Sequence, residues 1–402
     1  MTDDTKIPRS GEDDYSADIV EQRQRFIEAQ TGATLEHTKQ FSFDPHEMDG
    51  NIENFWGVAQ IPIGVAGPLL VNGEHAQGEF YVPMATVEGT MLASYNRGMK
   101  VIKEAGGVLT TVSEESMQRS PVFIFKDSRQ ARDFQIWLKE NFENIKARAE
   151  TSTSVGKLHD IESYHAHSMI FTRFDYSTGD AAGQNMVSRA TFIACEWINQ
   201  QRPEMLHYML SGNFDTEKKT SSVNLLKTRG KRVTAEITIP RDILMKHLRV
   251  APEQIAYGQQ ISTLSAILTN SSNNANHPAN ALAALYLATG QDVANIGESN
   301  QCTTFQRATS KGDFYFSITL PAVIMATYGG GTSLPTQREC LRMLGCEGQG
   351  KALKLCEIAA ALVVAGELSL SAAARVDKTT RVNEWVDAHE RLGRNRCKTG
   401  AG

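Results

Sequence analysis

Apolar residues recur at helical spacing among charges over residues 18–30, and the run stops at Thr31-Gly32, so the pattern predicts a helix there. Ahead of it, residues 1–17 are polar and acidic and predict a disordered tail. Residues 51–70, NIENFWGVAQIPIGVAGPLL, mix Gly, Pro and β-branched residues and predict a loop feeding a short strand. Helical spacing returns over 87–104, with Glu88 in the first turn, where the helix dipole favours an anion.

The texture changes at Pro121. A strand over 121–125, an amphipathic helix over 128–149, a strand over 167–174 and a helix over 184–200 predict a small α/β unit at 121–210. It sits inside the chain and so reads as an insertion. Strict alternation over 233–240 predicts a strand, 254–268 and 279–289 predict helices, and 314–320 a strand. Helices are expected over 335–344, with Pro in its opening turn, and over 351–369. There is no internal repeat or low-complexity run.

Composition narrows the function classes. The 402 residues carry 41 Lys and Arg against 46 Asp and Glu, a net charge of −5, so no basic field argues for nucleic acid. The apolar runs at 281–288 and 358–365 fall short of the roughly 18 residues of a membrane span. The opening MTDDTKIPRSGEDD has no apolar signal core. The 6 cysteines form no CxxC, which makes a reducing cytoplasm the expectation and gives no metal site.

Residues 345–351 fit GxxxxGK, but Ala352 stands where a phosphate-binding loop needs Ser or Thr, so a glycine-rich turn between helices is expected. No GxGxxG occurs. Four other segments carry more polar residues than packing requires. In ATVEGTMLASYNRG (85–98), Glu88 needs no role beyond a first-turn helix residue. In STGDAAGQNMVS (177–188), small residues and Asp180 precede a helix, either as a tight turn or as backbone N–H groups open to a phosphate. In SGNFDTEKKTSSVN (211–224), one of two adjacent lysines either stabilises an oxyanion or joins a solvated loop. In residues 274–301, His277 and Asn280 share one side of a small-residue helix, and Asp292 follows its glycine cap.

These segments, in this order, resemble the hydroxymethylglutaryl-CoA (HMG-CoA) reductase family, most like its class I form without a membrane anchor. The matching stretches are ENFWGVAQIPIGVAGPL, VPMATVEGTMLASYNRG, GDAAGQNMVS, SGNFDTEKK, HPANALAALYLATGQD, YGGGT and AHERLGRN, spread over residues 20–395. The resemblance implies an α+β fold: a large mixed α/β substrate domain (18–120 and 211–380), an inserted small ferredoxin-like cofactor domain (121–210) and a C-terminal flap (381–402). It implies a cytoplasmic homo-oligomer whose active site forms at a dimer interface, with no nucleic acid or membrane partner. The implied reaction is a four-electron reduction of HMG-CoA to mevalonate and CoA by two NADPH, with NADH possible. The alternative is a reductase of another acyl-CoA thioester.

By the same resemblance, Lys218 is the cation beside the carbonyl oxygen, Glu88 the proton donor, Asp292 the acid coupling them, and His389 the acid for the leaving thiolate. Asn96, Arg97, Arg119, Ser211, Lys219, His277 and Asn280 match substrate-pocket positions. Asp180, Ala182, Gly183, Asn185 and Met186, with Gly329, Gly330 and Gly331, match the cofactor motif. Four positions depart from the family pattern. Glu217 stands where Asp is usual, and Gln260 where a Lys pairs with the substrate carboxylate. Ser154 stands where NADPH users place an Arg, and Ala182 replaces a Met.

Overall fold

The structure, a computed structural model, describes residues 5–373. Helix α1 (Ala17–Thr31) ends, as the sequence predicts, on Gly32 in the left-handed conformation. The disordered tail expected over 1–17 is not what residues 5–16 form. Arg23 of α1 is buried and donates to the carbonyls of Pro8, Asp14 and Phe55 while pairing with the Asp14 carboxylate. A buried guanidinium must find acceptors, and the N-terminal segment supplies them.

Hairpin β1 (Ile63–Gly73) and β2 (Gln77–Ala85) leads to α2 (Met91–Glu104) and β3 (Val108–Arg119). Helix α2 starts later than its apolar pattern suggests, because Thr90 takes a left-handed φ of 69°. Glu88 therefore precedes the helix, its N–H donating to Thr86 Oγ1. Next come β4 (Val122–Ile124), α3 (Ser128–Glu140), α4 (Phe142–Ala149), β5 (Lys157–Ala166), β6 (Met169–Ser177), α5 (Gln184–Gln201) and β7 (His207–Met209). The single helix expected over 128–149 breaks at Asn141, whose side-chain amide donates to the Trp137 carbonyl. An Asn side chain that bonds locally to backbone competes with the helical ladder.

The chain continues through α6 (Ser222–Leu226), β8 (Gly230–Ile239), α7 (Arg241–Leu248), α8 (Pro252–Leu268), α9 (Pro278–Thr289), α10 (Ile296–Ser299), β9 (Thr303–Ala308), β10 (Phe314–Val323), α11 (Pro335–Met343) and α12 (Ala352–Ala373). Strand β3 is the pivot of a ten-stranded mixed sheet. Its residues 109–116 pair antiparallel with β8, and residues 117–119 pair with β6. Beyond β8 lie β10 and β9; beyond β6 lie β4, β7 and β5. Strand β1 joins β3 in parallel. The result is a mixed α+β fold.

Two apolar cores follow from this division. One gathers β8 positions Val233, Ala235, Ile237 and Ile239, spaced by two as a half-buried strand requires, under α2, α9 and α12. The other packs Phe123, Phe134, Phe174 and Tyr176 with α3, α4 and α5. Helix α12 crosses the first core. Among the described residues it alone is long and apolar enough to cross a membrane, yet nearly all of it is buried inside the protein. The sequence shows no such run because Glu357 and Glu367 interrupt it. Both acids are buried, and both are satisfied by backbone: Glu357 takes the N–H groups of Glu74, His75 and Ala76, and Glu367 those of Asn276 and His277.

Candidate active site

The loop after β7 is strained in a way sequence alone does not show. Asn213, Thr216 and Lys218 all have positive φ, at 64°, 58° and 57°. Such residues persist only where surroundings over-determine them, and they cluster at functional sites. Here Thr216 Oγ1 donates to Asn224 Oδ1, and the Asn224 amide returns to the Lys219 carbonyl. The outcome is that Lys218 Nζ meets Asp292 Oδ2 at 2.8 Å, with the two side chains 43% and 41% exposed. The pair is therefore fixed but open to a ligand. The hydrogen bond that Lys218 donates to Asp292 pushes the amine above its ordinary value, so it stays protonated across the neutral range. Lys219 points elsewhere, onto the Glu217 carbonyl.

Asp292 is placed by the end of α9. Gly290 caps that helix at φ 71°, and a Cβ there would lie 2.1 Å from the Gly331 carbonyl oxygen. Only glycine lets the 329–331 turn come this close. Asp292 then accepts the Ala294 N–H, and Asn295 Oδ1 takes the Gln184 side-chain amide from the start of α5. Lys218, Asp292, the 329–331 turn and the 179–186 segment thus meet in one place.

The 179–186 segment is held from three sides. Glu115 accepts the N–H groups of Thr178 and Gly179, and Lys231 Nζ donates to the Gly179 carbonyl. The Asp180 carboxylate takes the N–H groups of Gly350, Lys351 and Ala352 at the start of α12. Those amides belong to the GxxxxGK near-match, which is a glycine-rich turn capped by an aspartate and no phosphate cradle. Asp180 is thus a tether between two elements. Gly183 has φ 84°, and a Cβ there would strike Thr178 at 2.3 Å, so the backbone bends sharply just before α5. Ala182 packs against the second core, Asn185 is exposed on the first turn, and Met186 accepts from Thr153 Oγ1. Exposed Ser154 follows Thr153 and so borders this turn. Among the described residues, nothing lies within 4 Å of where a Cβ on Gly329 or Gly330 would stand, and the Thr332 and Ser333 hydroxyls donate to their carbonyls.

Arg119, at the end of β3, gives one terminal nitrogen to both Asp215 (3.1 Å) and Glu217 (3.0 Å). The extra methylene of Glu217 thus serves the arginine rather than Lys218. Ser211 is exposed at the head of the same loop. The remaining positions lie elsewhere. His277 caps α9 at its start, and the 12-residue helix separates it from Asp292 by roughly 18 Å. The Asn280 N–H returns to the His277 carbonyl. Arg97 bonds the Oγ and carbonyl of Ser369, and Asn96 accepts the Gly67 N–H. Ala85 packs with Ala288, which brings the turn carrying Glu88 toward the Asp292 end of α9. Among the described residues no hydrogen bond joins Glu88 to Lys218 or Asp292. Gln260 is exposed on α8. His389 lies outside the described residues.

Sequence reasoning missed one buried pair beneath the site. Arg229 and Glu298 are both 0% exposed and face each other at 3.5 Å. Burial pushes Glu298 up to about 7, although Arg229 and the Lys218 N–H both favour its anion. The only signal was a lone Glu in the small-residue run NIGESN.

The comparisons agree with this architecture. The model of the hydroxymethylglutaryl-coenzyme A reductase family matches residues 19–394. A 3-hydroxy-3-methylglutaryl-coenzyme A reductase of Pyrococcus abyssi is 42% identical, covering 93% of this chain and 92% of the relative. That of Methanothermobacter thermautotrophicus is 42% identical over 94% of each. A solved class II reductase from Streptococcus pneumoniae, described as bound to NADPH in open conformations, superposes with a TM-score of 0.67. It covers 89% of this chain and 94% of its own at 19% identity, and so speaks for the fold. The chain is an α+β oxidoreductase of the kind that acts on thioesters. It belongs to the hydroxymethylglutaryl-coenzyme A reductase family.

Proposed function

We propose that this chain reduces HMG-CoA to mevalonate and CoA with NADPH, and that Lys218 and Asp292 form the centre of the site. The carrying observation is their 2.8 Å contact in a strained, ligand-accessible loop beside the glycine turn. The thioester carbonyl gains negative charge as it is reduced, and a fixed ammonium beside it lowers that barrier. Asp292 orients Lys218 and keeps it charged. Glu88 supplies the proton to the product oxygen, and His389 the proton to the leaving thiolate. Arg119, Ser211 and Lys219 line the acyl end of the pocket from the same loop region, with Asn96, Arg97, His277 and Asn280 completing it.

The nicotinamide supplies the hydride when bound. The residues present suit a dinucleotide: Gly183 opens the entry to α5, whose first N–H groups would donate to a phosphate. Gly329 and Gly330 leave open space beside it, with Gly331 packed against Gly290. Asp180 contributes by tethering that segment to α12. Ser154 offers a hydroxyl where an arginine would hold a 2′-phosphate. HMG-CoA-dependent loss of absorbance is therefore expected with NADPH, and NADH is expected to substitute at a comparable rate. No turnover with either cofactor, in folded protein, would refute the reading.

The working unit is expected to be a homo-oligomer. Tyr257, Ile261, Leu264, Ile267 and Leu268 form an exposed stripe down α8, 55–77% accessible. A contiguous apolar stripe of this kind marks an interaction surface. His277 and Asp292 are too far apart in one chain to grip a single acyl group, and a second copy reconciles them. The double substitution Ile261→Asp/Leu264→Asp is expected to halve the mass seen by light scattering and remove most turnover. An unchanged mass would move the interface off α8. The five described cysteines are unpaired and buried, which suits a reducing cytoplasm.

A further inference from the structure

The buried Arg229–Glu298 pair has no place in the chemistry above, and its geometry gives it one. We propose that this pair is a positioning element that holds Lys218 in its left-handed conformation and so sets the ammonium against Asp292. The inference rests on the reading of Lys218 as the oxyanion-stabilising cation.

Four contacts carry it. Gly297, the residue before Glu298, packs against the backbone of Lys218, since a Cβ there would lie 2.6 Å from the Lys218 carbonyl oxygen. Arg229 Nε faces Glu298, and Arg229 Nη1 donates to the carbonyl of Gln118, next to Arg119. Arg229 Nη2 faces the Glu217 carboxylate at 3.9 Å, and Glu217 in turn holds Arg119. One buried guanidinium therefore touches the supports of both cations in the site, Lys218 and Arg119.

Stability does not account for the pair. A buried ion pair seldom outperforms apolar residues of the same volume. This one is also poorly closed: the separation is 3.5 Å, and Glu298 Oε2 and Arg229 Nη2 make no hydrogen bond. What it does provide is a fixed seat for Gly297 against the Lys218 backbone, which sits at φ 57°, a conformation an L-residue leaves unless held.

The test uses two variants of the full chain. Glu298→Gln keeps the shape and removes the charge. It is expected to lower kcat about 100-fold, the cost of a small misplacement of a reacting group. KM for HMG-CoA should stay within about threefold. Glu298→Met/Arg229→Met replaces the pair with apolar side chains. It is expected to restore the thermal midpoint to wild type or above, while kcat stays low. A readout independent of turnover is the rate at which an amine-reactive ester labels Lys218, followed by peptide mass spectrometry without substrate. Loosening Lys218 from Asp292 should raise that rate several-fold in both variants. Unchanged labelling with kcat within about threefold of wild type, or recovery of kcat together with the midpoint in the double variant, would overturn the proposal. Should the wild type fail to reduce HMG-CoA, the functional reading falls, and the labelling still decides what Glu298 does to Lys218.

Discussion

Lys218→Ala is expected to lower kcat/KM for HMG-CoA about 1,000-fold, at the upper end of what one lost oxyanion donor costs. The structure makes the loss specific. Lys218 Nζ is the group that Asp292 holds at 2.8 Å, beside the turn of Gly329, Gly330 and Gly331. Among the described residues, the side chain of its neighbour Lys219 bonds only the Glu217 carbonyl, at an exposed position. Lys219→Ala should therefore cost about tenfold, the scale of one charged hydrogen bond at a surface. Asp292→Asn should fall between the two, because the ammonium remains but loses the partner that aims it. Steady-state rates of cofactor oxidation across a range of HMG-CoA concentrations below and above KM decide the ranking. A Lys218→Ala enzyme as active as Lys219→Ala would remove Lys218 from the centre of the site.

The largest effect on stability is expected from Glu357→Ala. This side chain reaches from the buried flank of α12 into the turn of the β1–β2 hairpin and accepts three consecutive backbone N–H groups, of Glu74, His75 and Ala76. The space is so tight that a Cβ on Gly73 would lie 2.2 Å from the Glu357 carboxylate. Truncation leaves those donors without an acceptor and opens a void against the helix. At about 1–3 kcal/mol for each unsatisfied buried group, and with part of the turn re-solvated, the loss is about 4 kcal/mol. Urea unfolding followed by circular dichroism measures it as a lower midpoint at unchanged slope. Glu357→Gln keeps one acceptor oxygen and should lose about half as much.

Strong periodicity was enough to read much of this fold. Helices α1, α5, α9 and α11 begin and end within a residue or two of their apolar pattern, because Gly32, Gly183, Gly290 and Pro335 mark their ends. Where one side chain redirects the backbone, periodicity failed. Asn141 splits a helix that its apolar spacing runs straight through, and Thr90 delays α2 so that Glu88 leaves its first turn. The N-terminal segment looked like solvent-exposed chain because its order comes from Arg23, a charge whose burial no local pattern announces. The site divides in the same way. The segments around Asp180, Lys218 and Asp292 stood out by composition, whereas their meeting depends on long-range contacts. The grip of Asp180 on α12 and the packing of Gly297 against Lys218 are equally non-local, and Glu298 sits in a run otherwise made for close packing.

Helix α12 also has a consequence for the order in which the protein is made. The core over residues 117–205 draws all but Ile324 of its buried members from one contiguous stretch, so it can close while synthesis is still in progress. The other core cannot. Its strands and helices from residue 66 onward pack against Ile358, Ala361, Leu362 and Ala365, which leave the ribosome some three hundred residues later. For most of translation, then, β1, β2 and α2 wait with their apolar faces uncovered, and β8 joins them for about the last 120 residues before Ile358. This is the interval in which a chaperone has most to cover, and in which a truncated chain is most prone to aggregate.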